Sequence, residues 1–229
     1  MQSDEEAKAK AAAAESAGKA IDAARDFGEF VARYIGGSLE QGLGIFEDKL
    51  RYMRWERQVR LMRKAEELLK ELGLPRPSRP VAMKIAIPLF QAASLEEDDE
   101  IQDIWAALLV NAANADCQFP VKRIYIGILE NLSPYEARIL DSIYSVKSAA
   151  LENGIWTKDL PEEVHLHAGD GDMRPNQELE LALATLDQLG LISSRLVWNT
   201  DLSLACVGHT TLGRCFINAC KLQRPESAS

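Results

Sequence analysis

Long apolar runs are missing from this 229-residue chain. Its longest uncharged stretches, residues 104–115 and 202–213, hold 12 residues each. A membrane-crossing helix needs about 20 mostly apolar residues, so no conventional spanning segment is expected. Cysteine is scarce. Cys117, Cys206, Cys215 and Cys220 form no Cys-x-x-Cys pair and read as reduced, mostly buried thiols of a cytosolic protein. The first residues, M-Q-S-D-E-E-A-K, are acidic and are followed by no apolar signal core. Positive charge is in the minority, with 26 Lys and Arg against 35 Asp and Glu and a net charge of -9. That balance disfavours broad nucleic-acid binding, which is mostly electrostatic. The sequence also has no P-loop, no G-x-S-x-G elbow, no H-E-x-x-H and no kinase set. No catalytic residue, cofactor or metal is assigned, and a non-enzyme is expected.

What the chain does have is helical periodicity and enough apolar residues (47%) for a sizeable core. Ile21, Ala24, Phe27, Phe30, Val31, Tyr34 and Ile35 share one face of a helix over residues 20–35, with Asp22, Arg25, Asp26, Glu29 and Arg33 opposite. Gly36-Gly37 breaks it, and Gly42 and Gly44 are expected to keep the next part loose. A strong helix follows over 46–72, with Gly73 at its end and the stiff link L-P-R-P-S-R-P beyond. A short apolar helix is expected over 81–93, limited or kinked by Pro88. The next helix has a marked start. Ser94 as N-cap with Glu97 would form a capping box, and Asp98, Asp99 and Glu100 would offset the helix dipole. Ile101, Ile104, Trp105, Leu108, Leu109 and Ala112 then recur at helical spacing to about residue 115.

A further helix fits residues 120–131. Ser133-Pro134 opens another as cap and first turn, sending Ala137, Leu140, Ile143 and Tyr144 toward a core. Residues 161–164 read as a helical turn, 165–176 as loop and 177–189 as a helix ending at Gly190. Short strands fit 191–193, 196–198 and 202–207, and a last helix 211–222. That order resembles a winged helix-turn-helix domain. The candidate recognition helix carries Glu178, Glu180 and Asp187 and no Lys or Arg. Residues 133–229 hold 8 basic against 13 acidic residues, the wrong field for a phosphate backbone.

Four constellations stand out. Ala12, Ser16, Ala20, Ala24, Gly28, Ala32 and Gly36 repeat every fourth residue, a strip without bulk that another helix could approach closely. The candidate self-association or membrane face is Ala20, Ala24, Phe27, Gly28, Phe30, Val31, Ala32, Tyr34, Ile35 and Gly36, and an Ala-rich core helix or a self-association helix ranks above a membrane helix. Three acids against two arginines on its polar side weigh against anionic lipid. Second, Lys49, Arg51, Arg54, Arg57, Arg60, Arg63 and Lys64 are opposed within that stretch only by Glu56. Trp55, Val59, Met62 and Leu69 are expected on the other side of that helix. The candidate interaction surface is Arg51, Arg54, Arg57, Arg60, Arg63 and Lys64. The stripe could hold phosphates of nucleic acid or lipid headgroups, or an acidic patch of a partner or of the chain itself at 96–100; pairing with acids, or plain solvation, ranks above nucleic acid. Third, Glu96–Glu100 with Asp103 has no EF-hand spacing and is explained by capping. Fourth, His165-x-His167 with Asp170 and Asp172 lacks a further strong metal ligand at recognised spacing and reads as polar loop.

The segment A-S-L-E-E-D-D-E-I-Q-D-I-W-A-A-L-L-V-N-A, followed by L-S-P-Y-E-A-R-I-L-D from Leu132, resembles the bacterial abortive infection alpha family. Its members join an arginine-rich helix, a Pro-rich link, an acidic-start W-A-x-L-L-x-N-A helix and an L-S-P-x-E-A-x-I-L helix. All four parts occur here in order over about residues 40–145, and Ser94, Glu97, Asp98, Trp105 and Asn111 belong to the shared motif. The resemblance implies anti-phage defence and supplies no active site.

The expected protein is mainly α: a helical arm (1–46), a helical core (47–131), a small winged-helix-like domain (132–222) and a polar tail (223–229). The expected partner is a protein, of host or phage, or a second copy. Two alternatives are a membrane-perturbing effector using the arm and a nucleic-acid-binding regulator. The expected location is the cytoplasm, with peripheral contact at the inner membrane as the alternative.

Overall fold

The computed structural model describes residues 22, 24–45, 54–146, 154–167, 173–194 and 204–222. Lys49, Arg51, Ala20, Ala12, Ser16, Asp170, Asp172 and the expected strand at 196–198 lie outside the described residues. The chain is mainly helical, with one small sheet, and divides into two compact units at residue 117.

The first unit begins with α1 (residues 24–35) and α2 (Leu39–Ile45). It continues with α3 (Trp55–Glu71), α4 (Met83–Leu95) and α5 (Asp99–Ala113). The apolar face of α1 packs inward: Phe27, Phe30, Val31 and Tyr34 are buried, while Asp26, Glu29 and Arg33 are exposed. Phe27, Phe30 and Tyr34 form an aromatic cluster with Phe90 of α4, with ring centroids 4.7–6.3 Å apart. Such edge and offset contacts add to the area buried. Burial also pushes the Tyr34 hydroxyl far above its ordinary pKa.

Gly36 ends α1 in the left-handed region, φ 67°. The following segment is not loose. Ser38 Oγ accepts from the Gln41 N–H (3.3 Å), and Gln41 Oε1 accepts from the Ser38 N–H (3.0 Å). This S-x-x-Q reciprocal cap starts α2. Gly42 is buried because α2 presses on α1: a Cβ there would stand 2.2 Å from the Gly28 carbonyl oxygen and 2.9 Å from Ala32 Cβ. The small residues at 28 and 32 thus receive a helix of the same chain.

The α3 face turned inward is Gln58, Leu61, Ala65, Leu68 and Leu69. Trp55 and Val59, placed opposite the basic stripe, are 39% and 40% exposed. Gly73 follows α3 at φ 69°. Helix α4 runs through Pro88 and continues to Leu95. It therefore contains Ser94, which is fully buried with its Oγ unpartnered. The expected Ser94 cap is corrected: Asp98 caps α5, its Oδ1 accepting from the Glu100 and Ile101 N–H groups at 2.8 and 3.1 Å. The apolar run before Ser94 extends α4 past it, and the carboxylate four residues later takes the cap. Gln102, also fully buried, donates to the carbonyls of Arg57 (3.0 Å) and Ala93 (2.9 Å), which ties α5 to α3 and α4.

The second unit holds α6 (Arg123–Leu129), α7 (Pro134–Ser145), β1 (Ile155–Trp156), α8 (Gln177–Gln188), β2 (Ile192–Ser194), β3 (Cys206–His209) and α9 (Thr211–Cys220). The strands form an antiparallel sheet in the order β1-β3-β2, with Ile155 opposite Val207 and Ser193 opposite Gly208. Strand β1 has no counterpart in the sequence reading. At the start of α7, Ser133 caps the Glu136 N–H and Glu136 reaches back to the Ser133 N–H (2.7 Å), with Pro134 in the first turn. Tyr144 ties this unit together. Its hydroxyl donates to the Leu191 carbonyl (2.6 Å) and accepts from the Thr210 N–H (3.0 Å), while its ring stacks on His209 at 4.2 Å. Thr210 caps α9.

Candidate functional site: the paired arginine face

Arg57, Arg60 and Lys64 stand three and four residues apart on α3, so their side chains form one stripe. Asp99 and Asp103, four apart on α5, form a matching stripe. The two meet. Arg57 pairs with Asp99. Arg60 reaches Asp99 at 3.2 Å and Asp103 at 2.7 Å, and Lys64 reaches Asp103 at 2.9 Å. Arg54, just before α3, pairs with Glu97 at 2.6 Å. Arg60 also donates to Gln102 at 3.4 Å, so the charged stripe adjoins the buried amide that fixes α5.

Of the expected interaction surface, the structure brings Arg54, Arg57, Arg60 and Lys64 together against acids of the same unit. Arg63 points elsewhere, beside Glu67 at 3.9 Å, and is largely exposed. The acids at 97, 99 and 103 serve as partners for cations, and Asp98 as a cap; Asp99 and Glu100 also lie in the first turn of α5, where the dipole favours them. The other motif residues are internal. Trp105 is buried with its indole N–H unpartnered, and Asn111 is fully buried.

The proposed self-association or membrane face has a different fate. Phe27, Gly28, Phe30, Val31, Ala32 and Tyr34 are buried, Ala24 and Ile35 are partly covered, and Gly36 is exposed. Side chains that membrane insertion would require on the surface are packed in the core of the unit, as a core helix has them.

In the second unit, His165 stands between two carboxylates, with Nε2 2.8 Å from Asp159 Oδ2 and Nδ1 3.8 Å from Glu163 Oε1. The sequence reading paired His165 with His167 and missed this trio, which becomes visible only when the turn folds back. The Asp159 contact is within hydrogen-bonding distance and the Glu163 contact is longer than a hydrogen bond. The backbone anchors the trio, since the Trp156 N–H donates to the His165 carbonyl at 2.8 Å. Helix α8 presents Glu178, Glu180, Leu181 and Asp187 outward, with Leu181 70% exposed.

Fold and site together define a mainly helical protein whose arginine-rich helix is joined by ion pairs to its own acidic-start helix. A profile of the family described as abortive infection alpha matches residues 56–220, well over half of the chain. The chain belongs to that family. No curated protein and no solved structure matches it.

Proposed function

We propose that this protein serves abortive-infection defence without catalysing a reaction, by binding a protein of host or phage or a second copy of itself. Family membership supports the defence role. The observation that carries the mode of action is the pairing of Arg54, Arg57, Arg60 and Lys64 with Glu97, Asp99 and Asp103. The strongest basic stripe is already engaged, so it offers little field to nucleic acid. In the second unit, the helix order and the β1-β3-β2 sheet support a winged-helix-like reading. In that reading α8 occupies the recognition position, and its acids around Leu181 suit a basic protein surface better than a phosphate backbone.

The reading keeps the protein in the cytoplasm. Among the described residues, no helix is long and apolar enough to cross a membrane. Nothing favours the peripheral-membrane alternative, because the apolar face of α1 is internal.

The test is phage challenge of cells carrying the intact protein or the variant Glu178→Lys/Glu180→Lys/Leu181→Glu, with both proteins shown to be folded and equally abundant. Protection by the intact chain and its loss in the variant is the expected result. Equal plaque counts with and without the intact protein count against defence for the phages tested. Unchanged protection by the variant removes α8 as the contact. A gel shift with DNA or RNA at physiological salt would replace protein binding by nucleic-acid binding.

A further inference from the structure

The Pro-rich link is the one conspicuous sequence feature that the defence reading leaves without a role. L-P-R-P-S-R-P curls beside the end of α1 and, with Arg33 and Gly36, lines a cavity of about 480 Å³. That size falls within the roughly 300–1,000 Å³ usual for small-molecule sites. Three arginines are among its lining residues: Arg33, Arg76 and Arg79. Among the described residues, only one of the three has a carboxylate partner, Arg33 with Glu66 at 3.0 Å. Arg79 is held by the end of α5, its Nε donating to the Ala112 carbonyl at 2.9 Å and an Nη to the Asn111 carbonyl at 3.4 Å. Those bonds leave N–H groups on the fork unused. Arg76 is exposed and has no ion pair or hydrogen bond among the described residues. Positive charge therefore outweighs negative here, in a chain whose net charge is -9.

Apart from Ser78, the rest of the lining is apolar or glycine. Pro75, Pro77 and Pro80 fix the backbone, and Leu74 completes the wall. The link is also pinned: the N–H groups of Ser78 and Arg79 both donate to the Ala113 carbonyl at 3.0 Å, and the Val81 N–H donates to the Tyr34 carbonyl at 2.7 Å. A site whose donors sit on a pinned backbone loses little freedom on binding. Guanidinium forks match phosphate oxygens two at a time, and flat proline and leucine surfaces accept a planar or apolar body.

We propose that this cavity binds a small phosphorylated ligand of nucleotide type, with its phosphate on Arg76 and Arg33 and its base or other apolar body against the prolines. The cavity is larger than an inorganic phosphate fills, and the apolar wall accounts for the remainder. This inference stands apart from the protein-binding reading, since the cavity lies in the first unit and shares no residue with α8.

The experiment is calorimetric titration of the full chain at low salt with adenosine and uridine mono- and diphosphates, inorganic phosphate and the unphosphorylated nucleosides. A nucleotide should bind saturably and more tightly than inorganic phosphate, and the nucleosides should bind weakly. Arg76→Ala should weaken nucleotide binding about tenfold, the scale of losing one charge-assisted contact. Arg33→Gln/Arg76→Ala should weaken it further. Arg63→Ala removes another exposed charge outside the cavity and should leave affinity unchanged. Arg76 makes no described contact, so its loss should leave thermal unfolding unaltered. Absence of nucleotide binding overturns the proposal. So does equal affinity for inorganic phosphate, or binding that Arg63→Ala weakens as much as Arg76→Ala.

Discussion

At the scale of single residues, the sharpest contrast lies between Ser94 and Asp98. Both types favour helix N-caps, and each precedes a plausible first turn. Local spacing cannot choose between them, because the choice depends on where α4 stops. Its apolar residues keep packing through Leu95's turn, so Ser94 is buried inside α4 while Asp98 is left to accept two N–H groups. Removing the Asp98 carboxylate should cost about 1 kcal/mol, the usual worth of a cap. Ser94→Ala removes a buried hydroxyl without a partner and should be neutral or slightly stabilising. Urea unfolding of the two variants checks this, and a larger loss for Ser94→Ala than for Asp98→Ala would restore the serine as the cap. The Ser133–Glu136 box shows the opposite case. Its Ser133 cap was legible because Pro134 fixes the first turn, so cap and boundary are specified by adjacent residues, while the return bond from Glu136 was not read.

At the scale of elements, the arginine stripe was legible as a stripe, and its pairing with the acidic start of α5 was one of several readings left open. Sequence distance of about forty residues hides such a match until α3 and α5 lie side by side. Which side of α3 is buried was less legible. Trp55 and Val59 look like core residues by type, yet Gln58 and Ala65 lie on the buried face instead. Gly42 was misread for a related reason. Glycine loosens a chain in isolation, but here its missing Cβ lets α2 lie against Gly28 and Ala32. The ion pairs are partly exposed, with Arg60 and Lys64 retaining 22% and 31% of their side-chain surface. Pairs of that kind contribute roughly 0–1 kcal/mol each and are screened by salt. Asp103→Asn removes two of them and should therefore destabilise the protein by about 1 kcal/mol at low ionic strength. The difference from the parent should shrink as salt approaches about 1 M, where the screening length is about 3 Å. A salt-independent loss in denaturant titrations would mean that Asp103 acts through packing.

At the scale of the molecule, each compact unit has its own aromatic centre and its own capped helices. The first is built on Phe27, Phe30, Tyr34 and Phe90, the second on Tyr125 against Phe216 and on the Tyr144 hydrogen bonds. The mainly helical class was readable from periodicity, whereas the two-residue β1 was not, since a strand that short has no pattern of its own and is defined by its partner β3. A unit with its own core should fold alone, so residues 118–223 expressed by themselves should be helical by circular dichroism and unfold cooperatively. Within that fragment two glycines make opposite predictions. A Cβ at Gly213 would stand 2.1 Å from both the Leu191 carbonyl oxygen and the Tyr144 hydroxyl, two atoms of the network that joins α7, β2 and α9. Neither can yield without breaking that network, so Gly213→Ala should cost about 1–3 kcal/mol or more. Gly127, on the exposed face of α6, has nothing within 4 Å of the added methyl. Gly127→Ala should stabilise by about 0.5–1 kcal/mol, because alanine loses less backbone freedom in a helix. Gly42→Ala in the full chain should destabilise the first unit. If the Gly213 and Gly127 variants instead unfold at the same denaturant concentration, or the fragment shows no cooperative transition, the second unit is not held together by the contacts described.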